Sequence, residues 1–437
     1  MLRFGTDGVR GVALREITPS AVQYFARAAA RALRCTDVVV GHDPRESSPE
    51  LARAVAEGFR AEGVTVAYLG MAPTPTVAFL AAQRGCAGAV VTASHNPYTD
   101  NGVKFFRDGG VKLTDDEESA IQRLYEQFAA AGEPFIESDE SFRPAPLDAY
   151  VDAIVSARVD VRRGMRVVVD CANGAMSAVA PTVLGRLGVD TVVLNAQPNG
   201  TNINVDCGAA HPDALAKFVK SAKCDIGVSF DGDGDRLIAV TPDGVVVDGD
   251  HLIAIAAKDL YARGLLANNA VVVTVMSNMG FQRAMSEAGI SVYTTPVGDR
   301  SVLLELERTG AILGGEQSGH IIHREVATTG DGLLAAVRLL SVLSRTGTDI
   351  TTASESAMTT YPQVLINVRV HVDAKSAVDA CGELVRAAEA ELGSDGRVLV
   401  RASGTEPLVR VMVEATSEAA AQSIARRIAD FAATFEG

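Results

Sequence analysis

The chain has 437 residues, 47% hydrophobic and 22% charged, a balance that implies folded domains, roughly three or four of them, and excludes extended disorder. A formal net charge of −14 excludes the broad basic face that nucleic acid or an anionic membrane would require, so an anionic substrate must be met by local cations. Six cysteines without paired spacing imply buried thiols in a reducing compartment; no apolar run reaches the roughly 18 residues of a membrane span, and Met1-Leu2-Arg3-Phe4-Gly5 lacks a secretion signal, so a cytoplasmic location is expected.

In chain order, periodicity predicts a first round of strand (37–40), helix (49–62), strand (65–69), helix (74–84) and strand (88–92). The pattern returns at 166–170, 175–187, 190–194, 212–222 and 225–230, and again at 270–275, 278–288, 291–295, 300–307 and 311–314. Such alternation implies mostly parallel sheets covered on both faces, with ligands beyond the carboxyl ends of the strands. After a stretch rich in Thr and Ser at 349–362 the order changes to strand (364–372), helix (374–392), two adjacent strands (397–401 and 408–415) and helix (417–435), a smaller α+β unit.

Each round ends by running its last strand into a polar loop, and three equivalent loops imply one shared cleft. The first is Ser94-His95-Asn96-Pro97. Pro97 keeps Asn96 out of helical conformation and so holds the serine on an exposed turn. A serine there is commonly only a cap, and no Gly-x-Ser-x-Gly surrounds it, so the elbow of the α/β-hydrolases is absent.

The second loop is Asp231-Gly232-Asp233-Gly234-Asp235-Arg236. On extended backbone alternate side chains point the same way, so three carboxylates converge, and their repulsion is relieved by protonation or by a hard cation such as Mg²⁺. An acidic Asp-Gly turn is the competing reading, but a turn does not require the repetition. An EF-hand is excluded because Arg236 stands where its glycine belongs and Pro242 where its bidentate Glu belongs. A serine beside such a cation site suggests phosphoryl transfer.

The third loop, Gly315-Glu316-Gln317-Ser318-Gly319-His320, places a carboxylate and a hydroxyl, suited to two neighbouring sugar hydroxyls, beside a histidine able to exchange a proton. Alone, His95 and His320 read as structural histidines. Lys104 is a second acid–base candidate, on the expectation that clustered cations depress its pKa. Arg10, Lys104, Arg236, Arg300, Arg401 and Arg410 lie in or beside the polar loops, a concentration suited to a dianionic phosphate, with random scatter as the rival account. The loop between the adjacent strands of the tail, Arg401-Ala402-Ser403-Gly404-Thr405-Glu406-Pro407, offers cation, hydroxyls and backbone N–H groups to a phosphate, or is an ordinary hairpin turn.

These segments, with Phe4 to Gly11, Asn101 to Phe106, Val297-Gly298-Asp299-Arg300 and Thr328-Thr329-Gly330-Asp331-Gly332, resemble the α-D-phosphohexomutase superfamily in collinear order over essentially the whole chain, most closely its bacterial phosphoglucosamine mutase branch. The resemblance implies three similar mixed α/β domains and a smaller C-terminal α+β domain around a central cleft, at residues 1–145, 146–245, 246–360 and 361–437. It implies that Ser94 is a phosphoserine in the active enzyme and that one of its oxygens, with Asp231, Asp233 and Asp235, holds Mg²⁺. The reaction implied interconverts glucosamine 6-phosphate and glucosamine 1-phosphate, with glucose- or glucosamine-1,6-bisphosphate as intermediate or activator. Glu316, Ser318 and Arg300 would grip the sugar phosphate, and Arg401, Ser403, Gly404, Thr405 and Arg410 the phosphate that is not reacting. Arg10 would steady the reacting phosphate, while Lys104 and His320 share proton transfer. The partner expected is a small phosphosugar, with no nucleic acid and no membrane, on a monomer or homodimer. Departures are Ser301, where the family usually has Tyr, and Ala402, where Pro is common. A phosphomannomutase or phosphoglucomutase, or a metal-dependent sugar phosphatase, is the alternative.

Overall fold

A computed structural model describes residues 2–5, 7–137, 141–157, 160–403 and 408–435. The first sheet holds β1 (Val9–Val12), β2 (Asp37–His42), β3 (Thr65–Met71), β4 (Ala87–Val91), β5 (Asp100–Arg107) and β6 (Val111–Lys112), in the order β1-β5-β4-β2-β3 with β6 on β5. The second holds β7 (Arg166–Asp170), β8 (Asp190–Leu194), β9 (Ile226–Phe230), β10 (Leu237–Val240) and β11 (Val246–Val247), ordered β11-β10-β9-β7-β8. The third holds β12 (Ala270–Thr274), β13 (Ser291–Thr295), β14 (Leu313–Gly315) and β15 (Ile321–His323), ordered β13-β12-β14-β15.

One pattern runs through all three. The three strands of each expected round are parallel and lie side by side as second, first, third. Parallel neighbours require a crossover, which in the first sheet is made by the helices Ser48–Ala61 and Thr74–Arg84. Buried on both faces, β4, β9 and β12 are nearly continuous apolar runs.

The sheets are mixed, however, where mostly parallel ones were expected. Each third strand turns back into an antiparallel partner, β4 into β5, β9 into β10 and β14 into β15. Two of these return strands are only three or four residues long, and β5 buries Asn101 and Lys104 beside Val103 and Phe105, which leaves no alternation to read. The topology has a consequence for function. All three polar loops are hairpin turns at the carboxyl end of a parallel strand.

Four long helices lie outside the expected rounds: Pro19–Leu33, Asp115–Ala131, Gly249–Ala262 and Gly332–Thr346. Their ends carry ordinary signals, including a capping box in which Thr114 and Glu117 satisfy each other's backbone N–H groups. The first helix packs Val22 and Phe25 into a core with Leu51, Val55 and Phe59, and Phe25 stacks on Tyr125 at 3.8 Å between ring centroids. Burying one such phenyl ring contributes about 2–3 kcal/mol.

The chain forms two compact units, Met1–Met276 with Gly289–Ala357, and Ser277–Ala288 with Met358–Gly437. The second unit is an antiparallel sheet of β16 (Gln363–Arg369), β17 (Gly396–Ala402) and β18 (Leu408–Ala415), ordered β16-β18-β17, with Val409, Val411 and Val413 in one core with Ile424 and Ile428 of the helix Glu418–Thr434. The single helix expected over 374–392 is two, Ala374–Ala380 and Gly382–Leu392, which meet at buried Cys381 beside a glycine that propagates helix poorly. Helix Met279–Glu287, expected in the third round, packs within this second unit. Its Met279 N–H donates to Glu414 at 2.9 Å, and neighbouring Asn278 donates to the Tyr361 carbonyl at 2.9 Å.

Candidate active site

The turn between β9 and β10 is built around its glycines. Gly234 has φ +78°, and a Cβ on Gly232 would lie 2.7 Å from the Ser94 carbonyl oxygen, so neither position accepts a side chain without strain. The backbone so shaped buries Asp231, Asp233 and Asp235 and brings one carboxylate oxygen from each within 4.8 Å of the others. Ser94, buried in the turn after β4, donates its hydroxyl to Asp231 Oδ2 at 2.7 Å. Two loops 137 residues apart in sequence thus meet at one point.

The charges there are unequally balanced. Burial pushes the Asp231 carboxyl well up, and Asp235 and Asp233 push it further. Burial acts on the other two as well, but Lys104 and the Thr74 hydroxyl outweigh it at Asp233, and Lys104, His320 and Arg236 outweigh it at Asp235, so both are held below the usual range. The uncompensated repulsion therefore falls on Asp231, against the serine, and favours a proton or a cation there. Asp233 Oδ1 and Asp235 Oδ1 are buried and have no hydrogen-bond partner among the described residues. Three convergent carboxylates with idle oxygens fit a hard divalent cation.

Lys104, on β5, sits among acids rather than cations. Its Nζ lies 2.8 Å from Asp7, 2.9 Å from Asp233 and 3.3 Å from Asp235. Burial pushes its pKa down, but Asp233, Asp7 and Asp235 more than reverse that, so the depression expected from neighbouring cations is replaced by a rise. Lys104 is a standing positive charge. Asp7 is shared with Arg10, at 2.8 Å, and with Lys112, which also pairs with Asp299 at 2.7 Å.

His320 lies between two of these acids, with Nδ1 3.7 Å from Asp235 and Nε2 3.9 Å from Asp299. Burial pushes its pKa down and Asp235, Asp299 and Glu316 push it up, with a net rise. The Gly330 N–H donates to Nε2 at 3.1 Å, an arrangement that favours a neutral ring with its proton on Nδ1, facing Asp235. The two influences oppose each other; the hydrogen bond fixes the tautomer of the resting ring, and the acids ease its protonation once that bond opens. A Cβ on Gly330 would lie 2.5 Å from the imidazole, so glycine is required for this approach.

The third loop is stitched to the second by the bridge Arg236–His320 and by Leu237 N–H donating to the Gly319 carbonyl at 2.9 Å. Glu316 is half-buried and accepts from the Gly298 N–H at 3.1 Å, while Ser318 is exposed. Arg300 is engaged with Asp115 and Glu118 at 2.8 and 3.1 Å. His95, beside Ser94, has its pKa lowered to about 4 by partial burial and by Arg236 and Arg10, and its Nδ1 is 3.4 Å from the serine hydroxyl.

In the second unit Arg401 and Arg410 stand directly opposite each other across β17 and β18, and Arg410 Nε is buried without a partner among the described residues. Burial and Arg410 lower the pKa of Arg401. Like charges so placed repel, and an anion relieves them. The Ser403 N–H donates to the Leu408 carbonyl at 2.8 Å; Gly404 and Thr405 lie outside the described residues.

Four residues important to this geometry were given no role by the sequence, although two of them stand in segments that carry the resemblance: Asp7, Lys112, Asp299 and Thr74. Each acts through a partner distant in sequence. Thr74 donates to Asp233 Oδ2 at 2.6 Å from the start of a helix 159 residues away.

Comparisons agree with this architecture. The phosphoglucomutase/phosphomannomutase family matches by its α/β/α domains I, II and III at residues 1–131, 148–244 and 248–361 and by its C-terminal domain at 365–431. The phosphoglucosamine mutase of Frankia casuarinae is 47% identical over 98% of this chain and 97% of its own, and that of Thermobifida fusca 45% over 98% and 97%. Among solved structures, a phosphoglucomutase/phosphomannomutase family protein from Burkholderia thailandensis superposes with TM-score 0.82 at 29% identity, covering 98% of this chain and 97% of the other. The Aspergillus fumigatus N-acetylphosphoglucosamine mutase, solved with GlcNAc-6P and magnesium, shares the fold at TM-score 0.71 and 19% identity, covering 99% and 96%. The chain belongs to the phosphoglucomutase/phosphomannomutase family.

Proposed function

We propose that the protein is a phosphoglucosamine mutase, interconverting glucosamine 6-phosphate and glucosamine 1-phosphate with Ser94 as the phosphoryl carrier. The observation that carries this reading is the Ser94 hydroxyl 2.7 Å from a buried cluster of three aspartates. The choice of amino sugar is supported by relatives of that name at 45–47% identity over nearly the full chain.

In the first half-reaction the bond between phosphorus and the Ser94 oxygen breaks as one forms to O1 of glucosamine 6-phosphate, which loses its proton and becomes the 1,6-bisphosphate. In the second, the bond between phosphorus and O6 breaks as one forms to the Ser94 oxygen, O6 takes up a proton, and glucosamine 1-phosphate leaves. The enzyme ends each cycle phosphorylated, as it began. Asp231, Asp233, Asp235 and a Ser94 oxygen would hold Mg²⁺, which would neutralise charge on the transferring group.

The chain's own residues do the rest. Lys104, fixed by Asp7, Asp233 and Asp235, presents a permanent cation at the aspartate cluster, and Arg10, anchored on Asp7, adds a second. His320 serves the sugar hydroxyl as proton carrier when its bond from Gly330 opens. Glu316 and Ser318 hold the sugar hydroxyls, and Arg300 supports them from the pair it makes with helix Asp115–Ala131. Roles for Arg401, Ser403, Gly404, Thr405 and Arg410 on the second phosphate rest on their motif and on the repulsion between the two arginines.

The test is a single preparation assayed with glucosamine, glucose, mannose and N-acetylglucosamine phosphates. Highest kcat/KM on glucosamine phosphate is expected, together with loss of all turnover in Ser94→Ala. A clear preference for another sugar refutes the substrate assignment.

A further inference from the structure

Arg45 is the bulkiest fully buried side chain among the described residues. It follows β2 in Asp43-Pro44-Arg45 and cannot touch a substrate. Its guanidinium has five N–H donors, and all five have acceptors. Nε donates to Asp43 at 2.8 Å; one terminal nitrogen donates to the carbonyls of Ser94 and Asn96, both at 2.9 Å; the other donates to the carbonyl of Asp100 at 3.0 Å and to that of Pro97.

Neutralising a buried arginine requires only Asp43. What stands out is that the four remaining bonds go to one loop, between β4 and the start of β5, whose single side chain bonded to the aspartate cluster is Ser94. Asp43 is itself held by the hydroxyls of Ser48 and Thr92, each at 2.6 Å, and Thr92 Oγ1 accepts the Ser94 N–H at 2.9 Å. From the second sheet's side, Asn204 donates to the same Ser94 carbonyl at 2.9 Å.

This clamp answers a strain. Ser94 has φ +52°, in the left-handed region, which costs an L-residue about 1–2 kcal/mol. With its N–H and carbonyl both fixed, the peptide planes flanking Ser94 are set, and so is the direction in which Cβ carries the hydroxyl. We propose that Arg45, with Asn204 as a second donor, is a positioning residue that holds Ser94 in this strained conformation and so aims its Oγ at Asp231. The claim rests on the reading of Ser94 as phosphoryl carrier.

A planar fork of five donors is not reproduced by an ammonium with three, so lysine is not a conservative replacement here. The experiment is steady-state mutase kinetics on glucosamine 6-phosphate with Mg²⁺ for wild type, Arg45→Met, Arg45→Lys and Asn204→Ala. Misplacing a reacting group by about 1 Å costs on the order of 10²-fold, so kcat should fall about 100-fold in both Arg45 variants. In Asn204→Ala, with the guanidinium still in place, kcat should fall about tenfold, and KM should stay within about threefold throughout because no sugar contact is lost. Folded Arg45→Met with wild-type kcat, or a defect confined to KM, overturns the proposal. If Arg45→Met does not fold, Asn204→Ala decides, and wild-type kcat there overturns it equally. Inactivity of the wild type on every hexose phosphate instead brings down the functional reading, and the positioning claim with it.

Discussion

At Ser94 and Asp231 the protein places a hydroxyl against the one carboxylate of its cluster that no lysine relieves. Lys104 is the counterweight to the other two, and the two kinds of charge make different predictions. Lys104→Met leaves Asp233 buried without its cation and takes one of the cations from Asp7 and Asp235, which should cost about 3–5 kcal/mol of stability. Because Mg²⁺ supplies charge at the same place, the melting temperature of this variant should rise more on adding Mg²⁺ than that of the wild type; an equal rise contradicts the shared-charge account. Asp233→Asn should lower the Mg²⁺ affinity read from titrated activity by tenfold or more, on the order of 1.4 kcal/mol. Unaltered Mg²⁺ dependence would remove Asp233 from the metal site. The aspartates and Ser94 were readable because each stands in a short polar run straight after an apolar strand, although the three carboxylates converge through a turn with Gly234 at φ +78° and not on the extended chain expected. The pairing of Asp7 and Asp299 with Lys112 was not readable, although both acids stand in segments that carry the resemblance, because an ion pair between elements distant in sequence does not show its partner locally. Lys104 shows the same limit from the other side: its position was readable, but the sign of its pKa shift depends on which charges the fold brings to it.

Among the elements, periodicity captured the parallel strands and the helices between them, most strongly where a strand is uniformly apolar as in β4, β9 and β12. It missed β10 and β15, too short for a period, and the break at Cys381, where helical spacing continues from one helix into the next. It also missed Asp331, which caps the helix Gly332–Thr346 through the Leu334 N–H at 2.9 Å and accepts the Tyr150 hydroxyl at 2.9 Å. Burial pushes this carboxyl up to about 6. The folded state then keeps, between about pH 4 and 6, a proton that the unfolded chain has released. Stability from this group is therefore present at low pH and lost as pH rises through the folded pKa. Asp331→Asn retains the capping oxygen without the charge, so it should stabilise the protein by about 1–3 kcal/mol at pH 8 and by little at pH 4. Melting temperatures of both proteins at the two pH values check this, and a larger advantage at pH 4 would show the sign to be wrong.

In the first unit, three parallel strands and an antiparallel return are used three times, and each copy places one of the polar loops in its return hairpin. The repetition was readable as three rounds, and the equivalence of the three loops followed from it. The way helix Met279–Glu287 packs with the tail residues was not, because its sequence is that of any amphipathic crossover helix. The account as a whole turns on Ser94 carrying the phosphoryl group. Its most direct test is intact-protein and peptide mass measurement after incubation with glucosamine 1,6-bisphosphate and Mg²⁺. A single added phosphoryl group located on Ser94, absent from Ser94→Ala and discharged by glucosamine 6-phosphate, is the result predicted. A phosphoryl group on another residue, or mutase turnover in Ser94→Ala, contradicts it.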